Sequence, residues 1–294
     1  MSSGTNEPSV PDVELVRTHT ASGVGSVIMQ VVADGASRRA ADAVALEEPL
    51  EIRLEHGSAE ARSELRVAVT MRTPGDDAAL ALGFLYGEGV VRSAKDVTSV
   101  EQADENVVVV AFAPSVQFDP EGLKRNTYTT SSCGICGKAS IEAVHIHIPD
   151  RAGTDSFVID SGTLGSLPET LRSQQEAFAQ TGGIHASATF DPAGRIERAA
   201  EDVGRHNALD KLVGSYLADG RLPLAGVGLL FSGRASFELI QKAAMAGCPF
   251  VAAIGPPSSL AVELAAEQRM TLVGFLREDR CNVYTLPHRV RVEG

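Results

Sequence analysis

The chain has 294 residues, 44% of them hydrophobic and 22% charged, with a formal net charge of -12. That length accommodates one large domain or two ordinary ones and buries a sizeable core, while the acidic balance excludes general binding to nucleic acid or to anionic membrane. Four cysteines are too few for a disulfide scaffold, no apolar run is long enough to span a bilayer, and no secretory signal pattern opens the chain, so the sequence predicts a cytoplasmic protein.

Residues 1–40 are rich in Ser, Gly, Ala and Thr, which predicts a mostly flexible tail with one strand over Ser26–Val32. Residues 41–127 read as a small α+β domain. Strands are predicted over Glu51–Leu54 and Glu64–Thr70, the second alternating Leu65, Val67 and Val69 against Arg66 and Ala68. In Thr73-Pro74-Gly75-Asp76-Asp77, Thr73 suits a helix cap, Pro74 the first helical position and the two Asp the positive end; Gly87 stops the helix. A further strand is predicted over Asn106–Ala113, and Pro114–Thr127 is a connector.

Residues 128–294 form the larger α/β part. A strand is predicted over Ala143–Ile148. Ser166-Leu167-Pro168-Glu169 fits a capping box whose helix runs to about Gln180, before Gly182 and Gly183. Ala186–Phe190 and Arg195–Ala199 flank the turn residues Asp191-Pro192-Ala193-Gly194. Gly204–Leu217 reads as a helix. Strands at Val227–Phe231, Phe250–Ile254 and Thr271–Phe275 alternate with helices at about Ser236–Ala246 and Ser259–Arg269. That βαβαβ order predicts parallel strands with right-handed crossovers.

The strongest chemical signal is Thr130-Ser131-Ser132-Cys133-Gly134-Ile135-Cys136-Gly137-Lys138. Glycines around the two thiols leave sulfur accessible, and the charge of Lys138 favours thiolate, the nucleophilic form. A second signal is the set of loops expected at the carboxyl ends of the parallel strands, where open α/β sheets bind ligands. They carry Ser232-Gly233-Arg234, Gly255-Pro256-Pro257-Ser258 and Leu276-Arg277-Glu278-Asp279-Arg280. Two lead into helix N-termini, which favour anions, and Arg234, Arg277 and Arg280 add positive charge, so a phosphate-bearing ligand is expected there. The polar run Asp202–Asn207 is expected to be structural, its His a hydrogen-bonding residue. No P-loop, dinucleotide fingerprint or zinc deaminase signature is present. A single C-x-x-C leaves a zinc site dependent on His145 and His147, in no strong finger spacing. A thioredoxin-like dithiol is the other alternative, but a clear strand, C-x-x-C and long-helix unit is missing.

Taken together, Glu47-Glu48-Pro49-Leu50, Ala81–Leu85, Ser132–Gly137, Thr181–Ala186, Glu201–Lys211, Ser232–Ser236 and Thr271–Phe275 resemble the formate dehydrogenase accessory sulfurtransferase family, FdhD/NarQ. The resemblance implies a sulfurtransferase that carries sulfur from a cysteine desulfurase as a persulfide. The sulfur passes to the molybdenum cofactor, a bis(molybdopterin guanine dinucleotide) needed by formate dehydrogenase. It implies a C-terminal three-layer α/β/α domain similar to cytidine deaminase but without its zinc site. The persulfide cysteine would be Cys133, with Cys136 as its motif partner. Phe275, Leu276, Arg277, Glu278, Asp279 and Arg280 would form the cofactor-binding loop, with Arg234 beside it. A homodimer is compatible with this reading. The alternative is a cofactor-binding chaperone that shields the molybdenum cofactor without sulfur chemistry.

Overall fold

Alternating apolar residues organise the N-terminal half. In the computed structural model, which describes Leu15–Val16 and residues 23–116, 118, 148–149 and 157–292, the first elements form a three-stranded sheet. It consists of β1 (Leu15–Val16), β2 (Val24–Ala33) and β3 (Ala36–Ala45). The strand expected near Ser26–Val32 is present and longer, and it is paired along its whole length with β3, which composition did not suggest. Asp34 and Gly35, with φ of 51° and 75°, form the two-residue turn that matches strand twist.

Next come β4 (Glu48–Gly57), β5 (Arg62–Arg72), α1 (Asp77–Gly87), β6 (Val97–Asp104) and β7 (Val107–Phe112). The four strands make one sheet in the order β5-β4-β7-β6, with β4 and β7 parallel. Period-two alternation is plain in β4: Leu50, Ile52 and Leu54 are fully buried, while Arg53 between them pairs with Glu64 at 3.0 Å. Each such leucine contributes about 1.5–3 kcal/mol by leaving water. The first helix starts later than Thr73 and Pro74 predict. Its N-terminal residue, Asp77, is clasped by the buried Arg72 at 2.9 and 2.8 Å, and Asp76 at the cap has a φ of 55°. Thr73 does not cap it. Its Oγ1 accepts the Val203 N–H and its own N–H donates to Asp202, so long-range partners outcompete the local cap.

After β8 (Ile159–Asp160) the chain forms α2 (Ser161–Arg172) and α3 (Glu176–Thr181). The sequence predicts one helix capped by Ser166; instead α2 is capped at Asp160 and carries Pro168 inside it. The Ser166 hydroxyl donates to the Thr163 carbonyl at 2.8 Å. Burial of Leu164, Leu167 and Leu171 on one face outweighs the hydrogen bond that Pro168 removes. Gly182, at φ 64°, ends α3 as expected.

The remaining elements are β9 (His185–Phe190), β10 (Ile196–Asp202), α4 (Arg205–Ala218), β11 (Gly228–Phe231), α5 (Phe237–Met245), β12 (Phe250–Ala253), α6 (Ser259–Glu267), β13 (Thr271–Gly274), β14 (Asn282–Thr285) and β15 (Val290–Arg291). Six of these strands form a sheet ordered β10-β9-β11-β12-β13-β14. The expected parallel unit β11-β12-β13 is at its centre, with antiparallel strands on both sides. One face, with Leu229, Phe231, Val251 and Leu272, packs on α4, α5 and α6. The other, with Leu230, Phe250, Ala252 and Val273, packs on α2. The result is mixed α/β in three layers. The first of these two cores is continuous with Leu50, Ile52, Leu54 and the apolar residues of α1, so both large sheets share it.

Candidate functional site: a cleft at the strand ends

Three consecutive strand-end loops are laced together by their backbones. The Gly255 N–H donates to the Gly233 carbonyl at 2.8 Å, and the Phe275 N–H donates to the Gly255 carbonyl at 3.1 Å. The Ala235 N–H reaches the Pro256 carbonyl at 3.2 Å. A Cβ on Gly255 would stand 2.9 Å from the Arg234 backbone, so this approach requires glycine. Ser258, the N-cap of α6, accepts the Ala261 N–H through its hydroxyl. The loops lie at the carboxyl edge of the parallel strands, where the sequence placed them.

Helix α2 closes over this edge. A Cβ on Gly165 would meet the Glu278 carbonyl at 2.3 Å, so the helix and the 275–280 loop touch backbone to backbone. Between α2, α3 and the strand ends is a cleft of about 1150 Å³, lined among others by Gly182, Gly183, His185, Ser232, Ile254 and Arg277. That volume accommodates a large organic ligand.

The expected loop residues divide between cleft and surface. Leu276, Arg277 and Glu278 line the cleft, Leu276 with its side chain fully buried. Arg277 Nη1 donates to the Ile254 and Leu276 carbonyls, both at 2.7 Å, which fixes the guanidinium at the cleft wall. Phe275 takes the left-handed conformation (φ 52°) and is partly exposed, and Asp279 and Arg280 are exposed in the same loop. Arg234 is exposed on the neighbouring loop. Among the described residues, none of Arg234, Arg277 and Arg280 sits in an ion pair. Cys133 and Cys136, with Lys138, His145 and His147, lie outside the described residues. Of the other two thiols, Cys248 is buried and burial pushes its pKa up to about 12, so it is no nucleophile at neutral pH. Burial also raises that of Cys281.

The cleft also holds residues to which the sequence assigned no role. His185, from the quoted Thr181–Ala186 run, is half-buried, and burial, then Arg205 and His206, hold its pKa below the ordinary value of 6.5. It is therefore neutral at pH 7, with one ring nitrogen a donor and the other an acceptor. Gln175, between α2 and α3, is 5% exposed, and its carboxamide nitrogen has no partner. No motif flagged Gln175. Arg172, also in the lining, lies over the Phe178 ring, 4.6 Å from its centroid.

The polar run at the start of α4 is hydrogen-bonded structure, as expected. Asp202, fully buried, accepts from Lys211 at 2.8 Å, Gly204 N at 2.8 Å, Asn207 Nδ2 at 3.0 Å and Thr73 N at 3.1 Å. Asn207 also donates to the Met71 carbonyl, and Lys211 to that of Thr73. These bonds tie the strand-to-helix turn before α1 to the C-terminal sheet. His206 Nε2 lies 2.9 Å from Glu238.

The family model for the FdhD/NarQ family matches residues 45–291. The sulfur carrier protein FdhD of Streptomyces avermitilis is 49% identical over 272 residues, covering 88% of this chain and 93% of that protein. Its namesake from Mycobacterium tuberculosis is 46% identical over 85% of this chain and 92% of its own length. The one from Saccharolobus solfataricus is 40% identical over 88% and 95%. The crystal structure of a putative formate dehydrogenase accessory protein from Desulfotalea psychrophila superposes with a TM-score of 0.66, over 90% of this chain and 98% of that one. At 23% identity it shows the fold alone. With the quoted motifs running from Glu47 to Phe275 inside the matched span, and identity of this order along most of its length, the chain belongs to the FdhD/NarQ family.

Proposed function

We propose that this protein is a sulfur carrier that takes sulfur from a cysteine desulfurase and delivers it to the molybdenum bis(molybdopterin guanine dinucleotide) cofactor of formate dehydrogenase. The carrier role is supported by relatives of 40–49% identity that bear that name. The observation that carries the cofactor half of the reading is the cleft at the strand ends, with Arg277 pinned at its wall. The cofactor is the substrate there. Its phosphates would meet Arg277, Arg280 and Arg234, with the exposed Glu278 and Asp279 weakening the local field. We read the three layers of the C-terminal part as cytidine deaminase-like, the protein as cytoplasmic, and formate dehydrogenase as its client.

In the first step the Cys133 thiolate attacks the outer sulfur of the desulfurase persulfide. A new S–S bond forms at Cys133, the donor's S–S bond breaks, and the donor cysteine leaves as thiolate. Lys138 and the flanking glycines favour this step by raising the thiolate fraction and access. In the second step the Cys136 thiolate attacks the inner sulfur of the Cys133 persulfide. A disulfide closes and the outer sulfur leaves as hydrosulfide, for the metal. A cellular thiol then reduces the disulfide.

The test is mass spectrometry of the protein after incubation with a cysteine desulfurase and cysteine. One added sulfur is expected on the peptide holding Cys133, absent in Cys133→Ala and retained in Cys136→Ala. Cys133→Ala is also expected to abolish formate dehydrogenase maturation. Full maturation by that variant would sink the carrier mechanism and leave a cofactor-binding chaperone.

A further inference from the structure

His185 is carried on a strand end that is tied on both sides. It opens β9, opposite Asp202 of β10 in the antiparallel register. On the other side the Ala186 N–H donates to the Ser232 hydroxyl at 2.9 Å, and the Ser232 N–H to the Ala186 carbonyl at 3.0 Å. The ring lies against the next strand-end loop: a Cβ on Gly233 would come within 3.3 Å of Nδ1 and 3.4 Å of Cε1. A side chain held in this way keeps its place better than one on a free loop.

Among the described residues that line the cleft, His185 is the one imidazole; the other ionisable side chains there are Glu169, Arg172, Arg277 and Glu278. Carboxylates and guanidiniums ordinarily keep one charge through neutral pH, whereas imidazole exchanges a proton there. The charged and titratable groups packed against the ring are Asp202 on β10 and Arg205 and His206 at the start of α4. Burial first, then Arg205 and His206, favour the neutral ring over the opposing pull of Asp202. At neutral pH His185 is therefore a base ready to accept a proton, and its surroundings make it give that proton up again to water.

Sulfur delivery calls for such a group. The outer sulfur leaves Cys133 as hydrosulfide, which still carries a proton, and a sulfur ligand binds a metal best in its deprotonated form. Hydrosulfide in water holds its proton too tightly for imidazole. A metal acidifies the sulfur or oxygen bound to it, and that brings the proton within reach. We infer that His185 is the catalytic base of sulfur delivery: its ring takes the proton of the hydrosulfide as the sulfur bonds to the metal of the cofactor in the cleft. The S–H bond breaks and its electron pair stays on sulfur, which forms the metal–sulfur bond. The proton goes to a ring nitrogen of His185 and from there to water, and no electron enters or leaves the protein. This rests on the cofactor-delivery reading of the cleft.

The experiment mixes persulfide-loaded full chain with the molybdenum cofactor in a single turnover, between about pH 5.5 and 8.5. X-ray absorption at the molybdenum edge of freeze-quenched samples times the metal–sulfur bond. Sulfur at Cys133, cofactor binding and circular dichroism are recorded on the same samples. In wild type the rate should fall as pH drops through a midpoint below 6.5, and be flat above it. His185→Gln should be about a hundredfold slower above the midpoint and lose the acid limb, with loading and cofactor binding unchanged. Added imidazole should restore part of the rate in His185→Ala, which a merely structural role would not allow. An acid limb that survives in His185→Gln would assign the titration to another group and overturn the inference. So would an unchanged rate, or losses in loading or cofactor binding that account for the slower delivery. If wild type loads Cys133 but forms no metal–sulfur bond, the delivery reading falls and this inference with it, while the carrier role stands. Should His185→Gln not fold, the imidazole rescue of His185→Ala decides, and its failure in a folded variant counts against the inference.

Discussion

His185 is a neutral imidazole in a cleft otherwise suited to anions, and its environment makes a definite prediction about pH. Burial is the largest cause of its lowered pKa, and Arg205 and His206 add to it. Above the ordinary value of 6.5 the ring is neutral in folded and unfolded chains alike and contributes nothing to the pH dependence. As pH falls through 6.5, the unfolded chain takes up a proton before the folded one does. Stability should therefore drop until the folded pKa is passed, then level off. Urea unfolding at a series of pH values should show a shallower decline below 6.5 for His185→Gln than for wild type; parallel curves would mean that the ring titrates normally. Cys248 illustrates the same physics with the opposite chemical result. Burial keeps it a thiol, so it does not compete with the sequence's exposed-looking C-x-x-C pair for sulfur chemistry.

Between elements, the crossing of α1 and α4 brings backbone against backbone. A Cβ on Gly83 would lie 1.9 Å from the Asp210 carbonyl oxygen, and one on Gly214 would lie 1.8 Å from that of Ala79. Each helix thus presents a glycine to the other's backbone, and neither obstacle is a side chain that can swing away. Gly83→Ala and Gly214→Ala should each cost on the order of 3 kcal/mol by forcing the helices apart. Gly162→Ala in α2, where nothing lies within 4 Å, should change stability by only about 0.5 kcal/mol. Chemical denaturation of the three variants checks this; equal midpoints would show that the crossing yields without strain.

The two large sheets are held together by their shared core and by the Asp202–Lys211 pair, both residues almost completely buried. Lys211 Nζ reaches Asp202 at 2.8 Å and the Thr73 carbonyl at 2.8 Å, joining the segment after β5 to the start of α4. Removing one partner leaves the other charge buried and only partly compensated. Lys211→Met should therefore cost about 3–5 kcal/mol. The double variant Asp202→Asn with Lys211→Met should lose less than the sum of the singles, because no bare charge remains. A double-mutant cycle by calorimetry tests this, and strict additivity would mean that the two groups act independently.

The sequence by itself determined the βαβαβ unit, its parallel sense and the edge on which its loops gather. Short apolar runs bounded by Gly, Ser and Pro encode those strands locally, and chain handedness does the rest. Asp34-Gly35 is a further local signal, a hairpin turn that brings the alanine- and arginine-rich β3 into pairing with β2 against its weak strand propensity. Motif combination carried the family. Only the tertiary structure decided where Thr73 spends its hydrogen bonds, because Val203 and Asp202 lie far along the chain. The same holds for the start of α2, set by three buried leucines over a sheet that the sequence does not place beneath them. It holds most of all for Gln175. The sequence places Gln175 inside a single helix, and its burial between two becomes visible only when α2, α3 and the strand ends close around it. Local residue patterns specify elements; burial of a polar group, and the lack of a partner for it, are properties of packing between elements that no short window of sequence contains.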